Sequence, residues 1–328
     1  MTNYIKENNI FISIYSFGYA AGFVNDNNGL KKLSIVDMVN LCHEYNLKGI
    51  EFPIDRYCKE FDQKKIRRLF DTIYKNDLGI KIDFENVSIS YVKNIIPILK
   101  DYGIEYFRVK VSNFFGCNRY IHPEFNTHYN DFIHFLDNTI NTLVKYNINI
   151  LIENHQDIIL DDYYNIWKIF PCEYVGINWD TGNSFPALEK PMDFLSKTLP
   201  YIGNIHLKDY KIYQTKKGYK LVRCPLGKGV VDFKEIFNFI KKENKKIPMT
   251  IELGAMKARH SDIYIDGFWE ALSSVDKDHK DSFISFVESN YSTDSNDNTY
   301  WGEKISPEII YQSEFEDIAT SIKYLNKL

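Results

Sequence analysis

Eight short runs rich in β-branched and aromatic residues recur along this chain, each followed by a longer amphipathic stretch, and that alternation restricts it to repeated βα units. The runs span 11–18, 49–54, 79–85, 106–113, 148–155, 174–183, 202–210 and 248–254. Between them lie helical patterns. In 34–45, Ser34 can cap while Val36, Val39 and Leu41 fall near one face; in 131–145 the apolar positions are Phe132, Phe135, Leu136 and Leu143. Eight parallel strands can close into a barrel or stay open as a doubly wound sheet. An open sheet buries both strand faces and so needs strands that are nearly all apolar. These runs instead alternate. One face carries pairs such as Ile12 and Ile14, Ile50 and Phe52, or Ile251 and Leu253. The other carries Ser13 and Tyr15, Glu51, Asp83, Arg108 and Lys110, Glu153 and His155, Asp180, His206 and Lys208, and Glu252. Polar groups on one face of every strand converge on a common axis only in a closed barrel. The expectation is an α/β chain folded as one (β/α)8 TIM barrel over residues 1–328. Residues 255–312 would form an extended segment after the eighth strand, acting as loop or lid. Its polar middle, 289–299, reads as an exposed loop and 314–328 as the closing helix.

Composition excludes several classes of function. A net charge of −4 without a long basic run argues against nucleic acid as a partner. No apolar run approaches the roughly 20 residues that span a bilayer, which argues against a membrane partner. Five scattered cysteines without a CxxC pair fit a reducing cytoplasm better than a disulfide framework or zinc ribbon. No glycine-rich phosphate loop follows the first run, so a nucleotide cofactor lacks its usual mark.

In such barrels the chemistry sits where the strands end. The last four runs each carry a metal-capable side chain there: Glu153, Asp180, His206 and Glu252. Three carboxylates and one imidazole form a hard donor set that suits one divalent ion, with Mn2+, Mg2+ or Co2+ favoured and Zn2+ or Fe2+ compatible. His155 and Lys208 lie two residues beyond a ligand and share its face, which makes them candidates for proton transfer or charge neutralisation. Alternatively, each is satisfied by a neighbouring side chain.

The segments IENH (152–155), NWDTGN (178–183), NIHLKD (204–209), PLGKGVVD (225–232) and IELG (251–254) resemble those of the xylose-isomerase-like TIM barrel superfamily, the sugar phosphate isomerase/epimerase group. The resemblance covers the second half of the chain specifically and the first half only in its βα rhythm. It implies that Glu153, Asp180, His206 and Glu252 are metal ligands, usually of Mn2+. Two positions depart from the ketose epimerases of that group. Asn183 stands where they carry His, three residues after the metal-binding Asp, and Lys228 stands where they usually carry Arg.

The chemistry this implies is proton abstraction next to a carbonyl chelated by the ion, through a stabilised enediolate. Glu153 and Glu252 would be base and acid, with His155 and Lys208 assisting. The expected function is a metal-dependent isomerase or epimerase of a keto-sugar or related polyhydroxy carbonyl compound. The alternative is a dehydratase or other lyase acting on a keto-sugar, inosose or glycoside by the same abstraction. An endonuclease IV-like phosphodiesterase and a non-catalytic sugar-binding barrel rank lower. Substrate-facing candidates are Glu51, Lys110, Asn183, Lys228, Arg259 and His260. The expected partner is a small sugar-like molecule, with a homo-oligomer compatible.

Overall fold

The computed structural model describes residue 5 and residues 8–23, 29–301 and 305–328. Eight parallel strands close into a barrel: β1 (Ile10–Ser13), β2 (Gly49–Pro53), β3 (Gly79–Asp83), β4 (Tyr106–Val109), β5 (Asn149–Glu153), β6 (Val175–Asp180), β7 (Ile202–Leu207) and β10 (Met249–Ile251). Each pairs with the next in chain order, and β10 closes the ring between β7 and β1. All eight expected strands are present, each shorter than its apolar run, because pairing stops where the chain turns outward into the loops.

The main crossover helices are α1 (Ile35–Tyr45), α3 (Gln63–Tyr74), α4 (Ile89–Asp101), α5 (Phe125–Tyr146), α6 (Leu160–Trp167), α7 (Pro191–Thr198) and α8 (Phe233–Lys242), with a single turn, α2 (Ile54–Tyr57), after β2. Local chemistry starts them. Ser34 and Asp37 form a reciprocal capping box at α1, and Asp62 and Asp232 accept N–H bonds at the starts of α3 and α8. In α1 the buried face is Ile35, Met38, Val39 and Cys42, whereas Val36 is 55% exposed. The face expected from Val36, Val39 and Leu41 is thus rotated, because the helix packs on the barrel through Met38 and Cys42.

A second, three-stranded antiparallel sheet stands beside the barrel, in the order β11 (Arg259–Ser261), β9 (Tyr219–Cys224), β8 (Asp209–Gln214). The seventh run, read as one strand to Tyr210, is two. β7 ends at Leu207, and β8 starts at Asp209 in a different sheet. Residues 255–312 hold β11, α9 (Asp266–Glu270) and α10 (Lys277–Ser289) rather than only a loop. The closing helix α11 runs Pro307–Leu325, starting seven residues earlier than expected, where Ser306 caps it and Pro307 occupies its first turn. Among the described residues no helix is long and apolar enough to cross a membrane.

Candidate metal centre and substrate pocket

At the strands' C-terminal ends, Glu153, Asp180, His206 and Glu252 are buried and offer ligand atoms that all lie within 4.8 Å of one another. The backbone fixes two of these carboxylates by one oxygen each. Asp180 Oδ1 accepts the N–H groups of Gly182 (3.1 Å) and Asn183 (3.0 Å), and Glu252 Oε1 accepts that of Gly254 (2.8 Å). Their other oxygens both meet the Lys208 ammonium. Glu153 is held by Asn183 Nδ2 at 3.2 Å and by Arg108. His206 Nε2 lies 2.9 and 3.1 Å from the two oxygens of Glu51. Glu51 is held well below the usual carboxylate range: His206, Arg108 and Lys81 outweigh the effect of burial. A carboxylate oxygen only accepts, so Nε2 carries the proton toward Glu51, which against the effect of burial also raises the His206 ring above its ordinary value. That leaves Nδ1 buried, 3.8 Å from Glu252 Oε2, with no hydrogen-bond partner among the described residues. An orphaned imidazole nitrogen facing three carboxylates fits a hard divalent cation.

Charge balance points the same way. Glu51, Asp83, Glu153, Asp180 and Glu252 crowd this floor, and the cations paired with them are Arg108 and Lys208. Arg108 reaches Glu51 and Asp83 at 3.0 Å each and also contacts Glu153. Lys208 Nζ lies 2.7 Å from Asp180 Oδ2 and also contacts Glu252. Burial pushes the Asp180 carboxyl up to about 7 against the pull of Lys208, with Glu252 and Glu153 adding repulsion. For Glu252 burial is outweighed by Lys208 and His206, which hold it down at about 2. A buried site with more carboxylates than cations is stabilised by gaining positive charge.

Short polar side chains carry the pairing beyond the strand ends and so fix the ligands' positions. Asn154 donates to Asp180 O (3.0 Å) and accepts from Asp180 N (2.7 Å), which ties β5 to β6. Thr181 Oγ1 bonds both the N–H (3.0 Å) and the carbonyl (2.7 Å) of Lys208, and Ser16 does the same between β1 and β10 through Ile251 O and Leu253 N. The Asn of IENH and the Thr of NWDTGN therefore have structural roles. So has Asp209, whose carboxylate accepts N–H bonds from Gly227, Gly229 and Val231 and pins the PLGKGVVD turn.

Above the floor opens a cavity of about 210 Å³ whose lining includes Glu153, Glu252, Arg108, Lys208, Tyr15, Lys110, His155, Phe115, Tyr210, Met256 and Arg259. β11 brings Arg259 there. Its guanidinium stacks 3.7 Å over the Phe115 ring, its Nε is buried without a hydrogen-bond partner, and it forms no ion pair among the described residues. Lys110 forms none either. Burial lowers the His155 ring well below its ordinary value, and Lys110, Lys208, Arg259 and Arg108 lower it further, so it stands neutral. A neutral imidazole can accept a proton or share a hydrogen bond, but it does not arrive as an acid.

The structure brings Glu153, Asp180, His206, Glu252, His155, Lys208, Lys110 and Arg259 together, with Asn183 bonded to Glu153. Glu51 lies behind His206 instead of lining the cavity, so its contacts are with the ligand set. Lys228 and His260 do not reach the cavity. Lys228 is exposed on the pinned turn, and His260 is exposed because alternation along β11 turns it away from Arg259. Sequence reasoning missed Phe115, Tyr210 and Met256 on the wall. It also missed Lys81, buried in the barrel on Asn204 (2.7 Å) and Thr250 (2.8 Å), although period 2 places Lys81 on the same face as Asp83.

Among known proteins, residues 21–268 match the family described as xylose isomerase-like TIM barrel. The Escherichia coli protein YihM is 21% identical over 219 residues, 64% of either chain. The 3-oxo-isoapionate decarboxylase of Pectobacterium atrosepticum is 26% identical over 110 residues, 33% of this chain and 40% of that one. The matches thus span less than two thirds of the length of these relatives. The solved 3-keto-D-glucoside 4-epimerase of Escherichia coli shares the fold with a TM-score of 0.53 at 12% identity, covering 86% of this chain and 99% of its own. With three quarters of its length matched and a closed eight-stranded barrel, this chain belongs to the xylose isomerase-like TIM barrel family.

Proposed function

We propose that the protein is a metal-dependent enzyme that removes a proton next to the carbonyl of a keto-sugar or related polyhydroxy compound and returns it as an isomerase or epimerase. The observation that carries this reading is the set of four buried donors at successive strand ends, with the orphaned His206 Nδ1 among them. Glu153, Asp180, His206 and Glu252 would hold a divalent cation, Mn2+ being the favoured ion. Such a cation would supply Lewis acidity toward a carbonyl and a neighbouring hydroxyl, lowering the cost of negative charge at the reacting carbon.

The side chains divide the remaining work. Glu252, held ionised, lines the cavity and is the proton acceptor. Glu153, fixed by Asn183 and Arg108, is the opposing acid–base group. The Lys208 ammonium, kept charged by Asp180 and Glu252, stays beside the developing negative charge, and neutral His155 orients a hydroxyl or relays a proton. Met256 and Arg259, from the segment after the eighth barrel strand, serve as wall; residues 302–304 of the expected lid 255–312 lie outside the described residues.

A lyase outcome is the second reading, favoured by the decarboxylase among the relatives. Loss of a carbon–oxygen or carbon–carbon bond beside the carbonyl leaves the same charge to be stabilised. A nuclease-like site would need further ligands, and among the described residues no second metal-capable cluster stands beside this one.

The test is to incubate Mn2+-loaded protein in D2O with keto-sugars, inososes and keto-sugar acids and follow products by mass spectrometry. Deuterium at the carbon next to the carbonyl with carbon count retained supports the isomerase reading, whereas loss of water or CO2 supports the lyase. Neither exchange nor turnover with any of them would remove the enzymatic reading.

A further inference from the structure

The cavity has two electrostatic ends. Its floor is rich in carboxylates, whereas its wall carries two cations, Arg259 and Lys110, that make no ion pair among the described residues. Unpaired cations in a mostly buried setting are costly, and burial lowers the affinity of both for their protons. Carboxylates are close at hand but committed elsewhere. Glu85, which also lines the cavity, pairs with Arg56 at 2.8 Å, and Glu153 with Arg108 and Asn183. Arg259 is nonetheless held in place. Phe115 supports its guanidinium face, and the loop carrying Phe115 is fastened to β11 by Asn118, which donates to His260 O (2.9 Å) and accepts from Asp262 N (3.0 Å). The planar fork is thereby fixed with an unused donor on its edge, the geometry that takes both oxygens of a carboxylate.

We propose that Arg259 and Lys110 bind a carboxylate at the substrate end remote from the reacting carbonyl, which makes the substrate a sugar acid. This rests on the reading of the floor as the metal and carbonyl site. A carboxylate suits the site better than a phosphate. The cavity of about 210 Å³ is smaller than the roughly 300–1,000 Å³ usual for ligand sites, so its occupant is compact. The N–H of Gly254, a glycine on its lining, is already used by Glu252.

The experiment is calorimetric binding to the Mg2+-loaded protein of five- and six-carbon aldonates, each paired with its neutral alditol, and of the corresponding sugar phosphates. It is repeated for Arg259→Gln and Lys110→Met, with metal content measured on every sample. The expected result is that aldonates bind the wild type roughly ten- to hundred-fold more tightly than their alditols. That preference should fall at least several-fold in either variant while metal content stays the same. Equal binding of acid and alditol by the wild type would overturn the proposal, as would a preference that survives both substitutions. A sugar phosphate bound more tightly than any aldonate, and weakened by Arg259→Gln, would overturn the carboxylate in favour of phosphate. Metal content tests the floor separately: its loss in His206→Ala concerns the metal site, whereas the part of the acid preference lost in Arg259→Gln and Lys110→Met at unchanged metal content concerns the wall. If Arg259→Gln fails to fold, Lys110→Met decides alone, since Lys110 makes no ion pair within the described protein.

Discussion

The parallel barrel and the antiparallel sheet beside it deliver side chains to one cavity by different means. The barrel contributes the carboxylate floor from the ends of β5, β6, β7 and β10, where strand alternation and the turn after each strand fix what points inward. The sheet contributes Arg259 from a strand of three residues that exists only because Arg259–Ser261 pairs with Tyr219–Leu221, almost forty residues away. A local pattern thus places the floor, and a long-range contact places the wall. Damage to the barrel interior should therefore cost stability or metal binding, and damage to the sheet should cost substrate binding with metal content unchanged.

The largest effect is expected at Arg108, which ties three buried carboxylates together inside the barrel. Arg108→Met leaves them facing one another in a poorly solvated space and should lower stability by roughly 3–5 kcal/mol, read from the midpoint of urea unfolding. A loss below about 1 kcal/mol would mean that the carboxylates are relieved by protonation or by water. Next comes Glu51, whose contact with His206 Nε2 sets the proton on that ring. Glu51→Gln should weaken metal binding by roughly ten- to hundred-fold in a competitive chelator titration while leaving the fold intact. Unchanged affinity would show that His206 is oriented without it.

The wall is probed through Gly116, which has φ +68° and sits so close to β11 that an added Cβ would lie 1.8 Å from the carbonyl oxygen of His260. Gly116→Ala should cost roughly 1–3 kcal/mol and raise KM by displacing Arg259, with metal content unchanged. A fall in metal content would show that wall and floor are coupled rather than separate. The smallest effect belongs to Lys228, exposed on a turn that Asp209 already pins. Lys228→Ala should move stability by less than about 0.5 kcal/mol and leave KM as it is; a raised KM would bring that turn to the substrate.

The same division explains what could be read from the sequence. Glu153, Asp180, His206 and Glu252 stood out because each ends an apolar run of period 2, and four such ends are neighbours in any barrel with this strand order. Arg259 was named from its position after strand eight, but its alternation with His260 was not, since three residues carry no periodicity. The β8–β9 hairpin was hidden for a related reason. Asp209 follows β7 with only Lys208 between, so two strands belonging to different sheets read as one run. Lys81 shares a readable face with Asp83 but lies one layer below the strand ends, where period 2 alone does not separate a buried cation from a site residue.

The four-residue centre carries both the proposed chemistry and the electrostatics of the floor. Purified protein, stripped with chelator and reloaded with Mn2+, should bind one ion per chain by calorimetry and elemental analysis, and His206→Ala should lose that ion while its circular dichroism stays that of the folded barrel. One ion bound with unchanged affinity in His206→Ala, or none in the wild type, would contradict it.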